Sequence, residues 1–346
     1  MIYDISLIIP AYNVEAYIEA TLFSVSSQVT QAKVQCIVID DASTDGTKSV
    51  VLQCERKFPG NMVLELISLE YNKGVAFVRN LGVAHSKADH IVFLDADDLM
   101  VPEALEYLWK TAKSTDADIV DTEFIQFRDE NKLNFFLNQK NHAVEIINQQ
   151  HRLAIIKGFP WGKIYRKSLF EGVCFPQGLI VEDIITLPQL ILRAQCVIKS
   201  NWITVAYRKR LGSLSGRESA VKNKYAQHML RGIEYLLSCE SSRESSFSEA
   251  FNESLWNEMT IVFRSRSFYC SRSEMKQHLY ELSALLDRWI SCSPRVRYLL
   301  RANLLNLCID WAIRNQYVVS FRILARIKKR LYQSNQQDLI RLYEFN

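Results

Sequence analysis

His90-Ile91-Val92-Phe93-Leu94-Asp95-Ala96-Asp97-Asp98 decides how this chain reads. A short apolar run with no alternation is what a strand buried on both faces requires. This one ends abruptly in three carboxylates. Upstream, Ile5-Ser6-Leu7-Ile8-Ile9-Pro10, Val34-Gln35-Cys36-Ile37-Val38-Ile39 and Met62-Val63-Leu64-Glu65-Leu66-Ile67 are runs of the same kind. The segments between them, residues 15–27, 44–57 and 75–85, read as helices; Ala16, Ala20, Phe23 and Ser27 share one side of the first. Pro102 is expected to open a further helix, at the position where proline is best tolerated. Four strands alternating with helices predict an α/β fold. Its central sheet is Rossmann-like and mostly parallel, flanked by helices, with ligands at the carboxyl ends of the strands.

Those strand ends are where polar residues collect. The first strand runs into Pro10-Ala11-Tyr12-Asn13, the second into Asp40-Asp41-Ala42-Ser43-Thr44-Asp45-Gly46, the fourth into Asp95-Ala96-Asp97-Asp98. Singly, each has a structural explanation, since Asp and Ser cap helices and make turns. Thr44 and Asp45 are expected to cap the second helix. Together, so many carboxylates at one sheet edge carry a large desolvation cost. A divalent cation balances it. Asp-x-Asp at a strand end reaches one hard ion, which bridges two phosphate oxygens.

The chain has 346 residues, enough for a catalytic domain and an appendage. Hydrophobic residues at 48% and charged ones at 23% are those of a globular protein, and 11 Gly and 7 Pro exclude collagen-like and low-complexity classes. None of the eight cysteines forms a Cys-x-x-Cys pair, so reduced structural thiols of a cytoplasmic protein are expected. Met1-Ile2-Tyr3-Asp4-Ile5 has no basic region ahead of an apolar core, so no secretory signal is expected. No apolar stretch approaches the roughly 20 residues of a spanning helix. The net charge of +4 hides an asymmetry: residues 1–200 carry −6 and residues 201–346 carry +10. A polar loop is expected over residues 128–142 and a strand over 197–207. Past Ser219 the pattern becomes amphipathic helix. The expected domains are therefore 1–218, with halves of about 1–100 and 101–218, and a basic helical 219–346.

In combination, these motifs resemble the inverting glycosyltransferases of family 2, with the GT-A fold, over roughly residues 4–215. The resemblance implies that Pro10, Ala11, Tyr12 and Asn13 lie against the nucleotide base and ribose, and that Asp41 hydrogen-bonds the uracil edge. Asn72-Lys73-Gly74-Val75-Ala76-Phe77-Val78-Arg79-Asn80 is similar to the family's Asn-x-Gly-x-x-x-x-Arg-Asn segment, which brings Lys73 and Arg79 to the nucleotide site. Asp95 and Ala96 then fall on the ribose side of the family Asp-x-Asp, and Asp97, with Asp98 beside it, on a Mn2+ or Mg2+ ion. Trp161-Gly162-Lys163-Ile164-Tyr165-Arg166 resembles a segment bordering the sugar, which implicates Trp161 and Lys163. Glu182-Asp183 resembles the Glu-Asp at a helix start, whose Asp is the general base. Tyr207-Arg208-Lys209-Arg210-Leu211-Gly212-Ser213-Leu214-Ser215 is similar to a loop that closes over the donor, with Arg208 in the matching place. None of the six His falls in that loop, so water or phosphate completes the metal shell.

Each residue has a plainer reading beside this one. Trp161 suits a core, Glu182-Asp183 suits a helix N-terminus, and His85 and His90 suit helix ends or the surface. A nucleotidyltransferase needs a Gly/Lys/Arg-rich loop after the first strand, which Pro10-Ala11-Tyr12-Asn13-Val14 is not. A nucleic-acid-binding role is disfavoured because the C-terminal Arg residues are spread among Leu and Ile rather than clustered with exposed aromatics. The expected partners are a UDP-sugar and a glycan or lipid-linked saccharide acceptor, and no nucleic acid. The interleaved cations and apolar residues of 295–332 suit an anionic membrane surface, a homodimer seam or packing on the catalytic domain. The expected location is the cytoplasm, peripheral at the inner face of the membrane.

Overall fold

A computed structural model describes residues 2–128, 143–148, 152, 156 and 158–210, together with helical residues within 227–235 and 273–284. The chain divides into two compact units, Met1–Gly178 with Glu182–Ser213, and Leu179–Val181 with Leu214–Asn346. The expected segment 295–332, the loop residues 129–142 and Ser213 and Ser215 lie outside the described residues. So does the junction expected between residues 216 and 225. In the second unit the described helical residues bury Leu230 and Leu279.

The first unit is built on one sheet. β1 (Ile5–Ala11) lies between β2 (Val34–Asp40) and β4 (His90–Phe93) and is parallel to both; β3 (Met62–Ser68) pairs with β2 on its other side. The register pairs Ile5 with Val34 and with His90, and Val34 with Met62. The four strands therefore start level, and their carboxyl ends emerge on the same edge. Side chains alternate between the two faces. Ile5, Leu7, Ile9, Cys36 and Val38 join one fully buried cluster, which includes residues of α1 (Glu15–Ser26), α2 (Thr47–Cys54) and α4 (Ala104–Thr115). Ile8, Ile37 and Ile39 join another with α3 (Val75–His85) and α5 (Glu182–Arg193). Each such side chain contributes about 1.5–3 kcal/mol by leaving water. Gly82 lets α3 approach: a Cβ there would stand 2.4 Å from Ile8 Cγ2.

Two helix starts differ from the sequence reading. α2 begins at Thr47, with Gly46 rather than Thr44 or Asp45 at the N-cap: Thr44 turns its amide to Asn13 Oδ1 at 2.8 Å, and Asp45, one residue before the cap, accepts the Thr47 amide at 3.0 Å. α4 begins at Ala104, two residues after Pro102, from Glu103 in the left-handed region (φ 64°).

Beyond β4 the sheet becomes mixed. β5 (Leu99–Met100), β6 (Ile119–Phe127), β7 (Val144–Ile146), β8 (Lys163–Arg166) and β9 (Val197–Arg208) complete the order β3-β2-β1-β4-β8-β6-β9-β5, with β7 beside β9. β8 is antiparallel to both β4 and β6, whereas β6 and β9 are parallel with an irregular register at Asp121–Phe124. Among the described residues, no helix is long and apolar enough to cross a membrane.

Candidate active site

The loops after β1 and β2 are tied to each other. Asn13 is left-handed (φ 50°); its Oδ1 accepts the Thr44 amide, and its own amide donates to Ser43 Oγ at 3.0 Å. Next to it the Tyr12 ring is 48% exposed, whereas Ala11 is buried and Pro10 partly so. Asp41 is buried with both oxygens engaged, accepting the amides of Lys73 at 2.7 Å and Gly74 at 2.8 Å. Gly74, at φ 85°, leads into α3, so Asp41 is an anionic cap on that helix. Lys73 is exposed, its Nζ 4.4 Å from the Phe77 ring centroid.

The acidic turn after β4 is closed by the Asp98 amide donating to the Asp95 carbonyl at 3.0 Å. Its three aspartates have different fates. Asp95, partly exposed, meets Arg79 Nη2 at 3.2 Å; burial raises its pKa in spite of that cation. Asp97 is partly exposed and its Oδ2 lies 2.5 Å from Arg210 Nε. Asp98, expected beside Asp97 at the cation, is fully buried: Oδ1 accepts the Arg208 amide at 2.7 Å and Oδ2 has no hydrogen-bond partner. Burial, reinforced by Asp95 and Asp97, pushes its pKa up to about 9. The physical reason is the Arg208 amide, which holds Asp98 inward while Asp97 stays half open. Ala96 is buried, its carbonyl 2.9 Å from Thr21 Oγ1.

Arg79 joins the two halves of the site. Buried, it places Nη1 2.5 Å from Glu182 Oε1 while Nη2 holds Asp95. Burial works against its charge, and the carboxylates of Glu182, Asp95 and Asp183 outweigh it. Asp183, in the first turn of α5, accepts the Ile184 amide on Oδ1 at 2.8 Å. Burial first, then Glu182, raises its pKa to about 7, with Arg79 opposing. That is the range a general base needs near neutrality.

Three expected residues lie in packed surroundings. Trp161 is buried in the core, stacked on Phe159 at 3.8 Å and on Tyr207 at 5.5 Å between ring centroids. Lys163 is fully buried, 2.9 Å from Asp121 Oδ1 and donating to the Phe159 carbonyl at 2.9 Å. Arg208 is buried, with Nε donating to the Asp97 carbonyl at 2.6 Å and its guanidinium 4.5 Å from the Phe127 ring centroid. As placed, it braces the acidic turn. His85 is a helix-end residue bonded to Glu65 at 3.0 Å, and His90 opens β4. Sequence reading missed Arg210. Its signal was parity: two residues past Arg208, it stands on the same side of the strand's extension.

Among the described residues, no three His, Cys, Asp or Glu side chains gather closely enough to hold a metal by themselves. The half-open Asp97 fits a hard divalent ion that takes its remaining ligands from phosphate and water. Asp98, fully buried and with its pKa raised to about 9, adds no charge to that site near neutrality.

Residues 6–173 match the family model described as glycosyl transferase family 2. Glycosyltransferase GlyA of Streptococcus pneumoniae serotype 4 is 28% identical over 222 residues, covering 61% of this chain but 31% of GlyA, so the chain spans about a third of that relative. In fold, the chain is similar to Staphylococcus aureus TarS 1–349 in complex with UDP-GlcNAc, with a TM-score of 0.66 at 20% identity over 94% of this chain and 92% of that one. It is also similar to the mannosyltransferase PcManGT of Pyrobaculum calidifontis with GDP-Man and Mn2+, with a TM-score of 0.54 at 17% identity over 95% and 87%. The sheet with its acidic turn is thus a GT-A fold, and residues 6–173 of the chain match glycosyl transferase family 2.

Proposed function

We propose that this protein is a divalent-cation-dependent, inverting glycosyltransferase. It moves one sugar from a UDP-sugar to a hydroxyl of a glycan or lipid-linked saccharide, in the assembly of a bacterial surface polysaccharide. The observation that carries this is Asp183, a carboxyl poised at about 7 and linked through Glu182 and Arg79 to Asp95 of the acidic turn. On this reading Asp183 takes the proton and the acidic turn holds the phosphate-bearing donor.

With Oδ1 engaged by the Ile184 amide, Asp183 receives the acceptor hydroxyl proton on Oδ2 as the acceptor oxygen attacks the anomeric carbon from the face opposite the diphosphate, which leaves. Asp97 would hold the cation, which would supply charge to neutralise the leaving diphosphate. Tyr12 offers an exposed ring to the base, and Asp41, buried with both oxygens already accepting amides, meets the base edge through its remaining lone pairs. Lys73 is an exposed cation beside the same loop. Trp161 and Lys163 shape the sugar side from within, and Arg208 fixes the Asp97 backbone. Support for a nucleoside-diphosphate sugar comes from the two folds above, held with UDP-GlcNAc and with GDP-Man and Mn2+.

A thermal-shift panel of UDP- and GDP-sugars with Mn2+ tests the donor class, since a bound donor raises the unfolding temperature. Stabilisation by UDP-sugars with Mn2+ is the expected result. Retained configuration at the anomeric carbon of the product would overturn the inverting mechanism.

A further inference from the structure

Arg210 already does to Asp97 what a metal ion would do. Its Nε lies 2.5 Å from Asp97 Oδ2, across 113 residues of sequence. Its guanidinium carbon is 4.9 Å from the Tyr17 ring centroid, and that of Arg208 is 5.2 Å from the same ring. The two cations are not equivalent. Arg208 is buried against Phe127 and bonded to the Asp97 carbonyl. The Arg210 side chain is 27% exposed and its ion pair opens to solvent. One carboxylate cannot give its full charge to a guanidinium and a hard divalent ion at once, so the two compete for Asp97.

We infer that Arg210 is a placeholder cation: it neutralises Asp97 in the donor-free enzyme, leaves it when a divalent ion binds, and then engages the donor's diphosphate. This rests on the metal-dependent reading above. Release is feasible because a partly exposed ion pair is weak. Re-engagement is favoured because a guanidinium fork matches phosphate geometry. Tyr17 keeps the arginine beside the turn while it changes partner. Metal and donor binding are then reciprocally coupled, each favouring the Arg210 position that suits the other.

The test is Mn2+ binding by the whole protein, read from the paramagnetic resonance signal of free Mn2+ without nucleotide and again with UDP. Arg210→Gln should bind Mn2+ about fivefold more tightly than wild type without nucleotide, since its competitor is gone. At saturating Mn2+ it should bind UDP about tenfold more weakly, since a phosphate contact is lost. Arg210→Lys keeps the charge without the fork and should fall between. An unchanged or weaker Mn2+ affinity in nucleotide-free Arg210→Gln overturns the placeholder role. If Asp97→Ala loses Mn2+ while Arg210→Gln behaves as wild type, this inference alone falls. If wild type takes up no Mn2+ even with UDP, the metal-dependent reading falls and carries the inference with it.

Discussion

Asp183 shows how one residue's surroundings set its chemistry. Burial and the neighbouring Glu182 hold its carboxyl near 7, and Arg79 stops it from rising further. Asp183→Asn should lower kcat by 100-fold or more, on the order of a general base's contribution, and leave UDP-sugar affinity unchanged. Wild-type kcat/KM should rise with pH and level off above about 7 as Asp183 ionises, a limb the variant lacks. A rate profile that is flat from about pH 6 to about pH 8, roughly one unit either side of neutrality, would place the base elsewhere. Stability runs the other way. A carboxyl whose folded pKa lies above its unfolded value binds more protons when folded, so its ionisation costs stability as pH rises from about 4 to about 7. Urea unfolding should therefore show Asp183→Asn more stable than wild type at pH 8, with the gap closing toward pH 4, about the unfolded carboxyl value.

At the scale of elements, α3 carries the site on its two ends of contact. Its start is capped by Asp41, and its body presses on β1 through Gly82. Asp41→Ala removes the acceptor of the Lys73 and Gly74 amides as well as the group proposed at the nucleotide edge. It should cost about 1–2 kcal/mol of stability in addition to weakening UDP binding, measured by urea unfolding and calorimetry on the same preparation. A variant with wild-type stability would show that the cap contributes nothing. Gly82→Ala should cost roughly 1–3 kcal/mol, because the added methyl meets Ile8 in a packed face that must shift. Activity should fall with it, since Arg79 lies one turn earlier on the same helix. Both helix bounds of α3 were legible in sequence, from Val75 to His85. The starts of α2 and α4 were not, because Thr44 and Glu103 serve the loops before them, a choice that depends on Asn13 and on backbone geometry.

Across the whole molecule, charge divides as the sequence does, with −6 in residues 1–200 and +10 beyond. Lipid-linked acceptors would make docking of the basic segment 295–332 on anionic membrane useful. Co-sedimentation with vesicles containing anionic lipid should then weaken with salt and disappear when Arg326, Lys328, Lys329 and Arg330 are neutralised. A chain that ignores such vesicles and dimerises instead would sink that expectation. The sequence by itself determined the four parallel strands and the carboxylates at their ends, but not the buried face of α1, which is Ile18, Thr21, Leu22 and Val25, whereas Ala16, Phe23 and Ser27 are exposed. The strands and their carboxylates follow from local periodicity and from the cost of burying charge in a short window. Only the tertiary structure decided that β8 runs antiparallel beside β4, that Asp98 turns inward while Asp97 stays half open, and that Arg79 reaches Glu182 across 103 residues. It also decided that Arg210 meets Asp97 across 113. No local pattern encodes such pairings, because they depend on which chain ends the folded sheet brings to one edge.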